Sequence, residues 1–150
     1  MKNIFEKAVS DELVNRISQL TSETKPHWGT MNVAQMLAHC CVSYEFVYED
    51  FHKPPSAIVR FLLKLLIKPG VVNDKPYPKN SRTAPVFVKD TDHDFELEKN
   101  RLIGYIQRTQ ELGTDHFEGL EYHSFGTMTA KEFSNCFYKH LDHHLQQFGV

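Results

Sequence analysis

The sequence predicts an all-α fold: a four-helix bundle in up-down-down-up order, with a long crossover between its second and third main helices. Three observations lead there. Apolar residues recur at i, i+3, i+4 and i+7 through four long stretches, the period of an amphipathic helix. Two of these stretches open on a capping box, Asn32 with Gln35 and Thr129 with Glu132. Residues 52–91, between the second and third stretches, are far longer than the usual helix–helix link.

Residues 3–20 read as a first helix, or as a short helix followed by a longer one restarting at Ser10-Asp11-Glu12, with acids in its first turn. Leu13, Ile17 and Leu20 form its stripe. Residues 21–30 are a polar connection with Pro26, Gly29 and the single tryptophan, Trp28, which is expected to cap one end of the core. The second helix runs from Val33 to about Phe51, with Val33, Met36, Leu37, Cys40, Tyr44, Val47 and Phe51 as its core stripe. Lys53-Pro54-Pro55 stops it.

Residues 56–68 form a short amphipathic helix, with Arg60, Lys64 and Lys68 along one side and Phe61, Leu62, Leu65 and Leu66 elsewhere. Such a helix can lie on a membrane surface. In a domain of this kind it is expected to pack over the bundle instead. Pro69-Gly70 ends it, and residues 71–90, with Pro76, Pro78 and Pro85, read as an extended loop. The third main helix runs from Asp92 to about Leu112, with Phe95, Leu102, Ile103 and Ile106 inward and Glu96, Glu98, Lys99 and Arg101 toward water. Gly113 is its expected stop. Residues 114–128 read as a turn-rich loop carrying His116 and His123, and the last helix runs from Thr129 to Phe148.

Composition narrows the function. The length of 150 residues suits one domain, residues 1–150, that buries a sizeable core without staples. A formal net charge of −2 leaves no electrostatic footprint for nucleic acid. Three cysteines, two of them adjacent (Cys40, Cys41), make no disulfide framework and point to a reducing cytoplasm. The opening residues Met1 to Glu6 do not read as a signal peptide. No apolar run reaches the ~18 residues of a membrane span, so stable membrane insertion is not expected. An apolar helix face can support a homodimer.

The chemistry lies in the last helix. On a wheel of about 100° per residue with Phe133 as reference, Phe137, Leu141 and Phe148 fall on one side of it and Cys136 on the other. His140 and His144 fall between them, on the inward stripe, while Lys139 and Asp142 point outward to water. A buried imidazole needs partners for one donor and one acceptor, and an unpaired polar group in a core costs roughly 1–3 kcal/mol. Histidines at i and i+4 can aim two ring nitrogens at one divalent ion. His39, on the flank of the second helix, is the candidate third ligand, with Ser43 one turn on. His39 lies about 10 Å from the start of its helix and the His140–His144 midpoint about 20 Å from the start of its own. Parallel helices with aligned ends would leave the ligands about 9 Å apart along the axis; antiparallel ones bring them level. Antiparallel second and fourth helices require the up-down-down-up order, and the 52–91 crossover permits it.

Met36-Leu37-Ala38-His39 combined with the C-terminal His140-Leu141-Asp142-His143-His144 resembles the DinB/YfiT-like superfamily of metal-binding four-helix bundles. The stretches from Trp28 to His39 and from Tyr138 to Leu145 further resemble an uncharacterised branch of it, and the likeness spans nearly the whole chain. The resemblance implies an up-down-down-up bundle and a nickel or zinc ion held by His39, His140 and His144, with water completing the shell. It places His143 beside the ligands or exposed. Characterised members include thiol-dependent transferases and isomerases. The basic helix and proline-rich loop of the crossover depart from the minimal bundle.

The expected function is a divalent-metal-dependent enzyme acting on a small-molecule substrate by hydrolysis or by thiol transfer from a low-molecular-weight thiol. Ser43, His123 and Gln147 are the polar groups expected to line its site. The alternative is a non-catalytic bundle stabilised by its metal, binding a small ligand or a partner. Cys136, one turn before His140, would close the site as a fourth ligand, although a free cysteine more often packs as a small hydrophobe. In a third reading there is no metal, and the last-helix histidines are hydrogen-bonded in the core.

Overall fold

Helix α2 (Val33–Tyr48) starts where Asn32 accepts from the Gln35 amide and the Gln35 side chain accepts from the Asn32 amide. Helix α6 (Ala130–Gln147) starts in the same way, with Thr129 and Glu132 exchanging bonds of 3.2 and 2.9 Å. Each box satisfies two otherwise orphaned amides of a first turn. The computed structural model describes residues 1–150 and contains four further helices: α1 (Lys7–Ser18), α3 (Ala57–Leu66), α4 (Lys68–Val72) and α5 (Phe95–Phe117). A 3-10 turn, Pro85–Phe87, lies in the crossover.

The fold is mostly helical but not purely so. Residues expected as loop form an antiparallel hairpin of β1 (Glu121–Tyr122) and β2 (Gly126–Thr127). It anchors the buried Tyr122, whose hydroxyl donates to the Ser43 carbonyl at 3.3 Å. Two-residue strands carry no usable alternation, so periodicity passes over them.

Side-chain pairs give the sense of each helix contact. Cys41 meets Glu98, Tyr44 stacks near Tyr105, and Tyr48 bonds Thr109, so α2 and α5 run in the same direction. His39 meets His144 and Tyr44 stacks on Phe137 at 4.4 Å, so α2 and α6 run oppositely. Ser134 bonds Ile4 just ahead of α1, and Asp142 pairs with Arg16, so α1 and α6 run together. One cluster of 28 buried apolar residues, from Ile4 to Phe148, joins these elements. Burying each large side chain of that kind contributes about 1.5–3 kcal/mol.

Several local expectations are corrected. α1 is continuous through Ser10, which is buried. α2 ends at Tyr48, and Phe51 is exposed. Pro69-Gly70 does not end a helix but lies within α4, with the proline in its first turn, where no amide partner is required. At Gly113 the expected stop holds: it adopts φ +71, outside helical geometry, and a second, short helical run then continues as far as the fully buried Phe117.

Two charged residues expected in water are buried. Lys139 is only 2% exposed; its ammonium donates to the carbonyls of Gly70 and Asn73, both at 2.8 Å, and to Asn73 Oδ1. The crossover therefore covers the side of α6 that a lone helix would show to solvent. Asp142, on that side, is half-buried against Arg16 at 2.8 Å. Glu98 is also buried, beside Arg101 and His93.

Helix α3 departs furthest from expectation. It has no buried residue, and only Leu63 packs partly against the core.

Candidate metal centre

Antiparallel packing puts His39 opposite the gap between His140 and His144. One ring nitrogen from each lies within 4.8 Å of the other two. His39 Nε2 and His140 Nε2 are 2.8 Å apart. Nitrogens bound at about 2.0–2.1 Å to one ion are separated by about 3 Å or slightly more, a spacing that the His39–His140 pair approaches.

The other nitrogen of each ring is already engaged. His39 Nδ1 lies 2.9 Å from the Phe87 carbonyl. A carbonyl only accepts, so this nitrogen carries the proton and Nε2 keeps its lone pair. His144 Nδ1 lies 2.8 Å from Gln147 Oε1. The amide's orientation is set because Gln147 Nε2 donates to the Trp28 carbonyl at 2.6 Å. Nδ1 of His144 is therefore also the donor, leaving Nε2 free. His140 Nδ1 lies 2.8 Å from Ser43 Oγ, a hydroxyl that can accept or donate. If Ser43 accepts, all three Nε2 atoms present lone pairs to one point. If Ser43 donates, His140 Nε2 carries the proton and hydrogen-bonds His39. The chain sets two tautomers for coordination and leaves the third adjustable.

Burial keeps the cluster neutral. His39 is 4% exposed and His144 8%. Desolvation, opposed in part by the Phe87 bond, lowers the His39 pKa to about 4. Desolvation followed by the proximity of His39 lowers that of His144 to about 3. His140 is pushed well below its ordinary value by burial and then by its two neighbours. Neutral imidazoles are the form a metal requires.

A pH dependence follows for the metal-free protein. The unfolded chain protonates these histidines near pH 6.5, whereas the folded chain resists until about pH 4 or below. Between those limits the unfolded state binds more protons. Stability is therefore full above about pH 6.5 and falls as pH drops toward 4, by up to ~1.4 kcal/mol per pH unit for each histidine. Urea melts of chelator-treated protein from pH 7 to 4 measure this; a flat profile would mean that these rings are not held neutral by burial.

The structure brings together some of the expected site residues and separates others. Ser43 and Gln147 are hydrogen-bonded to His140 and His144, as described. His123 does not reach the cluster: its Nε2 donates to the Lys53 carbonyl at 3.1 Å and its ring stacks on Phe46. His143 is half-buried with its ring edge-on to Trp28 and Tyr77, beside a cavity of about 60 Å³. Cys136 is outside the cluster, next to Tyr122, and burial pushes its thiol up to about 12. No fourth ligand is found there, and no carboxylate belongs to the cluster.

Two supports had no signal in the sequence, the carbonyls of Phe87 and Trp28, because any residue type supplies a backbone acceptor. The Phe87 ring also lies against both His39 and His140, placing the crossover over the site. Gly29 has a readable role once Gln147 is located. It adopts φ +81, and a Cβ there would stand 2.6 Å from Gln147 Nε2. Only glycine accommodates both the backbone and the clamp.

A family model described as a protein of unknown function (DUF1569) matches residues 5–149, nearly the whole chain. No curated protein and no solved structure matches it.

Proposed function

We propose that this chain, which belongs to the DUF1569 family, is a divalent-metal-dependent enzyme acting on a small molecule by hydrolysis or thiol transfer. The observation carrying this reading is the set of Nδ1 partners. Phe87, Ser43 and Gln147 each occupy the far nitrogen of a ring and so turn the three Nε2 atoms toward a common point. Support of this kind orients metal ligands and raises their basicity. A divalent ion held by three neutral imidazoles, nickel or zinc, supplies Lewis acidity and acidifies a water or thiol near neutral pH.

The chain's own residues hold the imidazoles in register, exclude water through Phe87, and adjust one proton between Ser43 and His140. The reading extends to an up-down-down-up bundle of α1, α2, α5 and α6 in the DinB-like manner. Its partners are a small-molecule substrate and, for transfer, a low-molecular-weight thiol. The three free, buried cysteines suit a reducing cytoplasm. A second reading, a metal held for stability alone, is favoured by the near-complete burial of His39 and His144 beneath the crossover.

The test begins with protein purified without an affinity tag, analysed for metal before and after equilibration with nickel or zinc. The expected result is one ion per chain. The cobalt-loaded protein is then titrated with a small thiol or anion while its visible spectrum is followed, alongside ester-hydrolysis and thiol-transfer assays. A spectral shift with turnover supports the enzyme. One tightly held ion with an unchanged spectrum and no turnover supports the stabilising role. Failure to bind either metal removes both readings.

A further inference from the structure

Helix α3 carries its apolar side outward. Ile58, Phe61, Leu62, Leu65 and Leu66 share one face and are 47–75% exposed. Leu63, on the opposite face, touches the core, and Arg60 beside it pairs with Glu121 of the hairpin at 3.1 Å. The helix therefore lies flat on the protein with its polar side down. Its ends are well made: Ser56 caps the first turn and the Ile67 amide bonds back to Leu63. A contiguous apolar surface of this size on a folded domain marks an interaction site.

The charge of the segment that carries the patch bears on what covers it. Of the eight lysines and arginines in residues 52–91, Arg60 and Lys68 are paired with Glu121 and Glu132, and the other six outnumber Asp74 and Asp90 by four. Lys64 lies at the edge of the apolar face and is exposed. An exposed apolar stripe bordered by cations is the pattern of a helix that rests in the interface of an anionic bilayer. No helix here is long and apolar enough to cross a membrane, so the contact would be with one leaflet. A second copy is a poorer occupant. Two such faces would oppose like charge, and a ten-residue helix, about 15 Å long, offers little of the ~800 Å² per partner of a stable interface.

We infer that α3 docks this protein on the surface of an anionic membrane, its apolar face entering the headgroup–acyl boundary and the exposed Lys64 at the edge of that face meeting the lipid charge. The docking is independent of the metal site.

The full chain is floated with vesicles of phosphatidylcholine alone and with vesicles containing about a third phosphatidylglycerol, and its mass is measured by light scattering. Binding to the anionic vesicles is expected, weakened by salt. Leu65→Glu should reduce it roughly tenfold or more and Lys64→Gln about fivefold. Both positions are exposed, and unchanged circular dichroism checks that the variants fold. Equal binding to neutral vesicles would overturn the electrostatic part. A dimer that Leu65→Glu dissociates, without vesicle binding, would overturn the inference in favour of self-association. A monomer that ignores both vesicles would overturn it outright.

Discussion

His140→Ala and His144→Ala are each expected to abolish stoichiometric binding of nickel or zinc while leaving the helical circular-dichroism spectrum in place. Each removes one of three converging lone pairs, and His39→Ala should do the same from the opposite helix. The loss should exceed the roughly 10–100-fold that follows from disturbing a ligand's support. Gln147→Leu tests that support directly. It leaves every ligand present but frees His144 Nδ1, and a weakening of about 10–100-fold is expected. Gly29→Ala should act in the same direction by pushing the Gln147 amide away from its position. His143→Ala is the control, since its ring lies outside the cluster. Titration against a competing chelator measures the series. Equal loss in His143→Ala would mean that the wrong imidazoles had been assigned.

The second large effect concerns stability. Glu45 and Glu98 are 4% and 5% exposed, and one guanidinium holds both: Arg101 Nη2 donates to Glu45 and Nη1 to Glu98 at 2.7 Å. Their remaining oxygens face His52 and His93, at 2.7 and 3.3 Å. Arg101→Met keeps most of the apolar stem but leaves two buried carboxylates without their cation. Removing one partner of a buried ion pair costs about 3–5 kcal/mol. The Arg101 side chain is about a third exposed, so the lower end, about 3 kcal/mol, is expected near pH 7. Urea unfolding near pH 7 measures it. A change under about 1 kcal/mol would mean that water already compensates the pair.

The fold was legible wherever near neighbours along the chain decide the outcome. Asn32 and Gln35 cap each other across three residues, as do Thr129 and Glu132, so both helix starts stood where expected. The i, i+4 spacing of His140 and His144 is a property of one helix. Their meeting with His39 was accessible because it needs only helix rise and opposed directions. The 52–91 segment could be read as a crossover, though not what it would touch.

What tertiary structure alone decided concerns surfaces meeting from distant parts of the chain. Lys139 looks like a solvent residue on any wheel, and it is buried because Gly70 and Asn73 pack over it. Phe87 and Trp28 support the histidines through carbonyls that side-chain identity does not encode. Glu98 is buried because α2 brings Glu45 to the same arginine. The apolar face of α3 looked like a core face and proved to be an outer one. Amphipathic order is written in the residues of a helix, but the direction its apolar side turns depends on which other segments arrive to cover it.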